Sequence, residues 1–176
     1  MSHGEIVELE EMPDETGPLS KRHETTVMGL RVRDLMTRGV VSVAPEDSVA
    51  KAYDLMLEHR FRHLTVIAGD GELVGLLTHR DLLRHSLIER AELPLSLQRS
   101  VLQRIRVEEV MTSEVQTAAP GQSLRQAALI MLANKFGCLP VVEEAEVVGI
   151  LTEADFVRYF ALAAQTPAPV ATSGPS

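Results

Sequence analysis

Aromatic residues are nearly missing from this sequence, with four Phe, two Tyr and no Trp among 176 residues. A core made from it must be aliphatic, and an aromatic surface for stacking single-stranded bases is disfavoured. The one cysteine, Cys138, excludes an intrachain disulfide. No stretch approaches the roughly 18 apolar residues of a membrane span. The opening MSHGEIVELEE has neither a basic nor an apolar leader region. These absences lead to the expectation of a cytoplasmic protein that does not enter a membrane. A glycine-rich phosphate loop, zinc-ligand spacing and paired catalytic carboxylates are missing too, so no enzyme chemistry is expected.

Charge is present but unevenly spread. The net charge is −8, and residues 1–30 hold seven acids against two bases, which leaves −3 for all the rest. A phosphate-neutralising stripe, and with it nucleic-acid binding, is not expected. Residues 1–26 read as a disordered acidic tail and 165–176 (QTPAPVATSGPS) as a disordered Pro/Ala-rich tail.

Between the tails the chain repeats itself. Val32-Arg-Asp-Leu-Met-Thr37 returns as Val107-Glu-Glu-Val-Met-Thr112, 75 residues on. Pro45-x-x-Ser48 returns as Pro120-x-x-Ser123, and Phe61-x-x-Leu64-x-Val66 as Phe136-x-x-Leu139-x-Val141, at the same shift. After a one-residue deletion, Val74-Gly-Leu-Leu-Thr-x-x-Asp81 returns as Val148-Gly-Ile-Leu-Thr-x-x-Asp155. The division is 27–84 for the first repeat, 85–106 for a helical connector and 107–164 for the second.

Each repeat reads as β-α-β-β-α. Val40–Val43 is a short β-branched strand, and Ser48 stands where it can cap the next helix. Apolar residues at 49, 52, 53, 56 and 57 have helical spacing, as do those at 124, 127, 128, 131 and 132. Strands 64–67 and 72–77 flank Ala68-Gly-Asp-Gly71, a hairpin signal. A second helix opens near Asp81. A unit this small buries little by itself, so the two repeats are expected to pack sheet to sheet over a shared core. The connector is too polar for core and carries four arginines, among them Arg99 and Arg106. It reads as a solvated linker with a short helix after Pro94.

The ordered motifs V-x-x-h-M-T, P-x-x-S, Leu139-Pro140-Val141 and V-G-h-h-T-x-x-D closely resemble a tandem pair of cystathionine β-synthase (CBS) domains, a Bateman module. The resemblance covers the repeats and neither tail. It implies an α/β (α+β) fold of two β-α-β-β-α repeats with pseudo-two-fold symmetry, a stand-alone module and a homodimer. It also implies two clefts that bind AMP, ADP, ATP or S-adenosylmethionine, and signalling to a regulated protein through dimer conformation. In the first cleft Thr78, Asp81, Arg62 and His63 face ribose and phosphate, and Thr112, Val115, Cys138 and Leu139 form the adenine slot. The second cleft is assigned Thr152, Asp155, Thr37, Val40 and Arg80. Its rim has Gly137 and Cys138 where the first has Arg62 and His63, so the first is expected to prefer a phosphorylated nucleotide. The alternative is a dimerisation or scaffold module with unoccupied clefts that binds partners through its tails.

The residues themselves support two readings of Thr-x-x-Asp. It has the spacing of a helix capping box. It also sets a carboxylate, able to accept both hydroxyls of a cis-diol, at a helix N-terminus that attracts anions. Gly75 and Gly149 are read as openings through which a ligand approaches the strand backbone. His59 and His63, like His79, Asp81 and His85, lack the geometry of a metal set. Met36, Met56, Met111 and Met131 read as core filler, and Cys138 as a small apolar residue rather than a nucleophile.

Overall fold

A computed structural model of the chain describes residues 29–90 and 95–163, with no side chain described over 85–98. The tails and Pro94 lie outside the described residues. The order is α1 (Val32–Leu35), β1 (Ser42–Val43), α2 (Val49–His59), β2 (His63–Ile67), β3 (Leu73–Thr78), α3 (His79–Arg90) and α4 (Leu95–Leu102). A 3-10 turn (Val107–Glu109), α5 (Leu124–Asn134), β4 (Cys138–Glu143), β5 (Glu146–Thr152) and α6 (Glu153–Ala163) follow.

The first sheet runs β1-β2-β3, with β1 parallel to β2 and β2 antiparallel to β3. The second is the antiparallel pair β4-β5. A single parallel bridge, Ala118 to Val141, stands where the first sheet has β1. Only the end of the expected 40–43 strand pairs. Gly39 turns the chain at φ 69°, and Val40 and Val41 face a groove instead of a neighbouring strand. Local chemistry explains the rest of the order. The Ser48 hydroxyl accepts from Lys51 N at 3.2 Å and caps α2. The β2–β3 hairpin turns on Gly71 at φ 93°, where a side chain would be strained.

The sequence suggested one shared core, but the buried residues form two clusters. Val49, Ala52, Met56, Leu64, Val66 and Leu77 pack together in one, and Leu124, Ala127, Met131, Leu139, Val141 and Leu151 in the other. Each is completed by the leading segment of the opposite repeat. Val107 and Val110 are buried in the first cluster, with Leu102, Ile105 and Met111 against it. Val32 is buried in the second, with Leu30, Leu35 and Met36 against it. The connector is therefore not wholly solvated, since its last apolar residues close the first core. Leu57 and Leu132, expected on the apolar faces of α2 and α5, are instead 56% and 67% exposed.

Backbone hydrogen bonds fix the exchange. Leu76 and Thr112 exchange both N–H···O bonds at 2.9 Å, and so do Thr37 and Ile150. A side chain at Gly149 would meet Met36 Sδ at 2.8 Å and the Thr37 carbonyl oxygen at 3.0 Å. Gly75 stands in the same relation to Met111 and Thr112. The close approach that these glycines permit is thus to the exchanged Met-Thr segment, not to a ligand.

Two substitutions test this packing. Gly149→Ala should lower unfolding stability by about 1–3 kcal/mol, the usual effect of overpacking, as measured by denaturant melts. Thr65 is fully buried in β2 with no partner for its hydroxyl among the described residues. Thr65→Val, which removes that unsatisfied group, should raise stability by about 1 kcal/mol.

Candidate functional site

One groove of about 910 Å³ runs between the halves and joins the two expected clefts. Every residue assigned to them from the sequence lines it except Leu139, which is fully buried in the second core. The alternation of β4 turns Leu139 inward, and Cys138 beside it toward the groove. The cations Arg60, Arg62, Arg80, Arg84, Lys135 and Arg158 line the groove against Asp81, Glu114, Glu153 and Asp155. The lining is net positive in a chain of charge −8, which suits an anionic ligand. Among the described residues, no group of three or more His, Cys, Asp or Glu converges to hold a metal ion.

Each end of the groove combines both repeats, because the exchanged segment lies beside the opposite hairpin. At one end Thr112 pairs with Leu76, two residues before Thr78. At the other Thr37 pairs with Ile150, two residues before Thr152. Strand register aligns His63 with Thr78 and Cys138 with Thr152.

Thr78 and Asp81 form a complete capping box at the start of α3. Asp81 N–H donates to Thr78 Oγ1 at 3.2 Å, and Thr78 N–H donates to Asp81 Oδ2 at 2.9 Å. The Thr78 hydroxyl donates to the same Oδ2 at 2.6 Å. The cap occupies one carboxylate oxygen, and among the described residues Oδ1 accepts no hydrogen bond. Capping and ligand binding are therefore compatible on this residue.

The other end is built alike but filled differently. Asp155 Oδ2 accepts from Thr152 N–H at 2.8 Å and from its hydroxyl at 2.7 Å. Asp155 Oδ1 accepts from Thr37 Oγ1 at 3.1 Å and from Arg158 at 3.0 Å, and Asp155 is only 3% exposed. Sequence reasoning missed Arg158, which pairs with Asp155 at the second end, and Lys135, which lines the groove. Arg158 was legible as the third residue after Asp155 on a helix, a spacing that brings side chains together.

His63 leans across the groove, and a side chain at Gly137 would come within 3.0 Å of its Nε2. The imidazole is held below its ordinary pKa of 6.5, chiefly by burial and also by Arg62, while Glu153 and Asp81 act in the opposite sense. At neutral pH it is uncharged, and the positive charge beside it is Arg62. Burial, reinforced by Glu153, pushes the Cys138 thiol up to about 12, which keeps it protonated and unreactive.

Comparison with known proteins agrees with this architecture. The CBS domain family model matches residues 32–88 and again 107–162. The chain belongs to the CBS domain family. The protein MJ1225 of Methanocaldococcus jannaschii is 34% identical over 133 residues, which is 74% of this chain and 47% of that protein. The chain thus spans about half the length of MJ1225, and 23% of the length of some enzymes that it also matches. The solved structure of CBSX2 in complex with AMP is 30% identical, covers 78% of this chain and 100% of that one, and superposes with a TM-score of 0.64. The CBS domain pair of MJ0100, solved with 5′-methylthioadenosine and S-adenosyl-L-methionine, is 25% identical over 76% of this chain and 98% of that one, with a TM-score of 0.64.

The depressed His63 pKa has a testable consequence. The unfolded chain takes up this proton near pH 6.5 and the folded chain only at lower pH. Stability should therefore fall as pH drops through 6.5 and stop falling below the folded pKa. Melting curves from pH 7.5 to 5 should show a smaller loss for His63→Gln than for the native chain. Equal losses would contradict the assignment.

Proposed function

We propose that this chain is a non-catalytic sensing module that binds an adenosine-containing ligand, first of all at the Thr78/Asp81 end of the groove. The supporting observation is the spare Asp81 oxygen. Its carboxylate is already oriented by the cap, stands at a helix N-terminus and borders a net positive groove. A ribose cis-diol is the neutral double donor that suits it. Arg62 offers a two-pronged donor for phosphate, with His63 beside it. Thr112 and Val115 of the exchanged segment, with Cys138, wall the side available to adenine. Relatives solved with AMP, or with 5′-methylthioadenosine and S-adenosyl-L-methionine, support this ligand class.

The proposal extends to assembly. Leu57, Leu132, Val157 and Phe160 are large apolar side chains exposed by 54–68% on helices α2, α5 and α6. Large apolar side chains left this exposed are ones that a homodimer would cover, and through it ligand binding would reach a regulated protein. A scaffold that works with empty clefts shares the dimer but leaves the spare Asp81 oxygen without a role.

Titration calorimetry with AMP, ADP, ATP, S-adenosylmethionine and NAD, on protein freed of co-purified nucleotide, tests the reading. At least one should bind, and at 100 times its dissociation constant it should add about 2.7 kcal/mol of stability. Asp81→Asn keeps an oxygen for the cap but loses the charge. It should weaken that ligand about tenfold or more, as expected when a charge-assisted bond is lost. Silence across the panel would favour the scaffold.

A further inference from the structure

The two halves carry the same string, Thr-x-x-Asp-x-x-Arg, at 78–84 and at 152–158. Its last residue behaves differently in each. Arg158 Nη1 pairs with Asp155 Oδ1 at 3.0 Å, the guanidinium side chain 62% exposed and the carboxylate side chain 1%. Arg84 also lines the groove but forms no ion pair with Asp81 among the described residues. Thr37 Oγ1 closes the remaining approach to Asp155 Oδ1, and Thr112 makes no matching bond to Asp81.

We infer that Arg158 is a latch on the second end of the groove, holding the Asp155 oxygen that a ligand's ribose diol needs. This rests on the reading that the groove binds adenosyl ligands through its two Asp residues. At the first end a diol meets an available acceptor. At the second it must displace a guanidinium from the matching oxygen and share that oxygen with the Thr37 hydroxyl. The guanidinium can leave because its side chain is largely in solvent, and the diol that replaces it keeps the buried carboxylate hydrogen-bonded. The carboxylate cannot move, because its other oxygen is held by both Thr152 donors. The second end therefore fills later and more weakly than the first, and Arg158 sets the interval between them.

Adenosine is the appropriate probe, because it carries the diol and no phosphate that would itself attract arginine. Calorimetry on the full chain should show one equivalent of adenosine bound, abolished by Asp81→Ala. Arg158→Met should add a second equivalent, or tighten the weak site by up to about fivefold, the scale of one weak ion pair. With 2′-deoxyadenosine, which lacks the diol, Arg158→Met should bring no such gain. Should that variant melt below the assay temperature, Arg158→Lys gives the same reading with a smaller gain. Asp81-dependent binding with stoichiometry and affinity unchanged in the Arg158 variants would overturn the latch and leave the proposed function standing. Gain with 2′-deoxyadenosine equal to that with adenosine would also overturn it. No binding of adenosine to any variant, together with silence of the nucleotide panel, would overturn both.

Discussion

Everything in this molecule depends on the place where Met111-Thr112 lies against Gly75, and on its counterpart, Met36-Thr37 against Gly149. Each contact is a pair of backbone hydrogen bonds sealed by a methionine over a residue with no side chain. The leading segment of each repeat is thereby donated to the other. Val107 and Val110 close one core, and Val32 the other. Neither half has a complete apolar interior of its own, and stability and pairing become one requirement. The exchange also sets the groove. A donated Met-Thr segment runs beside each Gly-h-h-Thr strand, so each end of the groove has one wall from each repeat. A ligand held at either end would contact both halves at once.

Some of this was legible in the sequence because it is written at short range. Helix spacing at 49, 52 and 56, the Ser48 cap, the hairpin at Gly71 and both Thr-x-x-Asp boxes depend on residues within one turn or one hairpin. The repeat multiplies each signal by two. The exchange was not legible, because it is carried by backbone groups that every residue has, across some 40 to 110 residues of chain. Gly75 and Gly149 were correctly singled out as close approaches, but the sequence does not say what approaches. Leu139 was misplaced for a related reason. Neighbouring strand residues point to opposite faces, and only the register decides whether Cys138 or Leu139 meets the groove.

Duplication also explains how two like motifs come to differ. The capping geometry is preserved at both Asp81 and Asp155, because both helices need it. The outward-facing carboxylate oxygen is not needed for the cap and is free to diverge. It stays available at Asp81 and is taken by Thr37 and Arg158 at Asp155. The rim diverges with it, Arg62-His63 on one side and Gly137-Cys138 on the other. One fold thus presents two chemically unequal ends in a single groove.

The central claim is that a ligand at the first end is gripped by both repeats at once. The most direct measurement is a backbone-amide NMR titration of the full chain with AMP. The account predicts that Gly75–Asp81 and Thr112–Gln116 shift together with one dissociation constant, while Thr152–Asp155 stay in place until AMP is in excess. Shifts confined to one repeat, or appearing first at Thr152–Asp155, would contradict it.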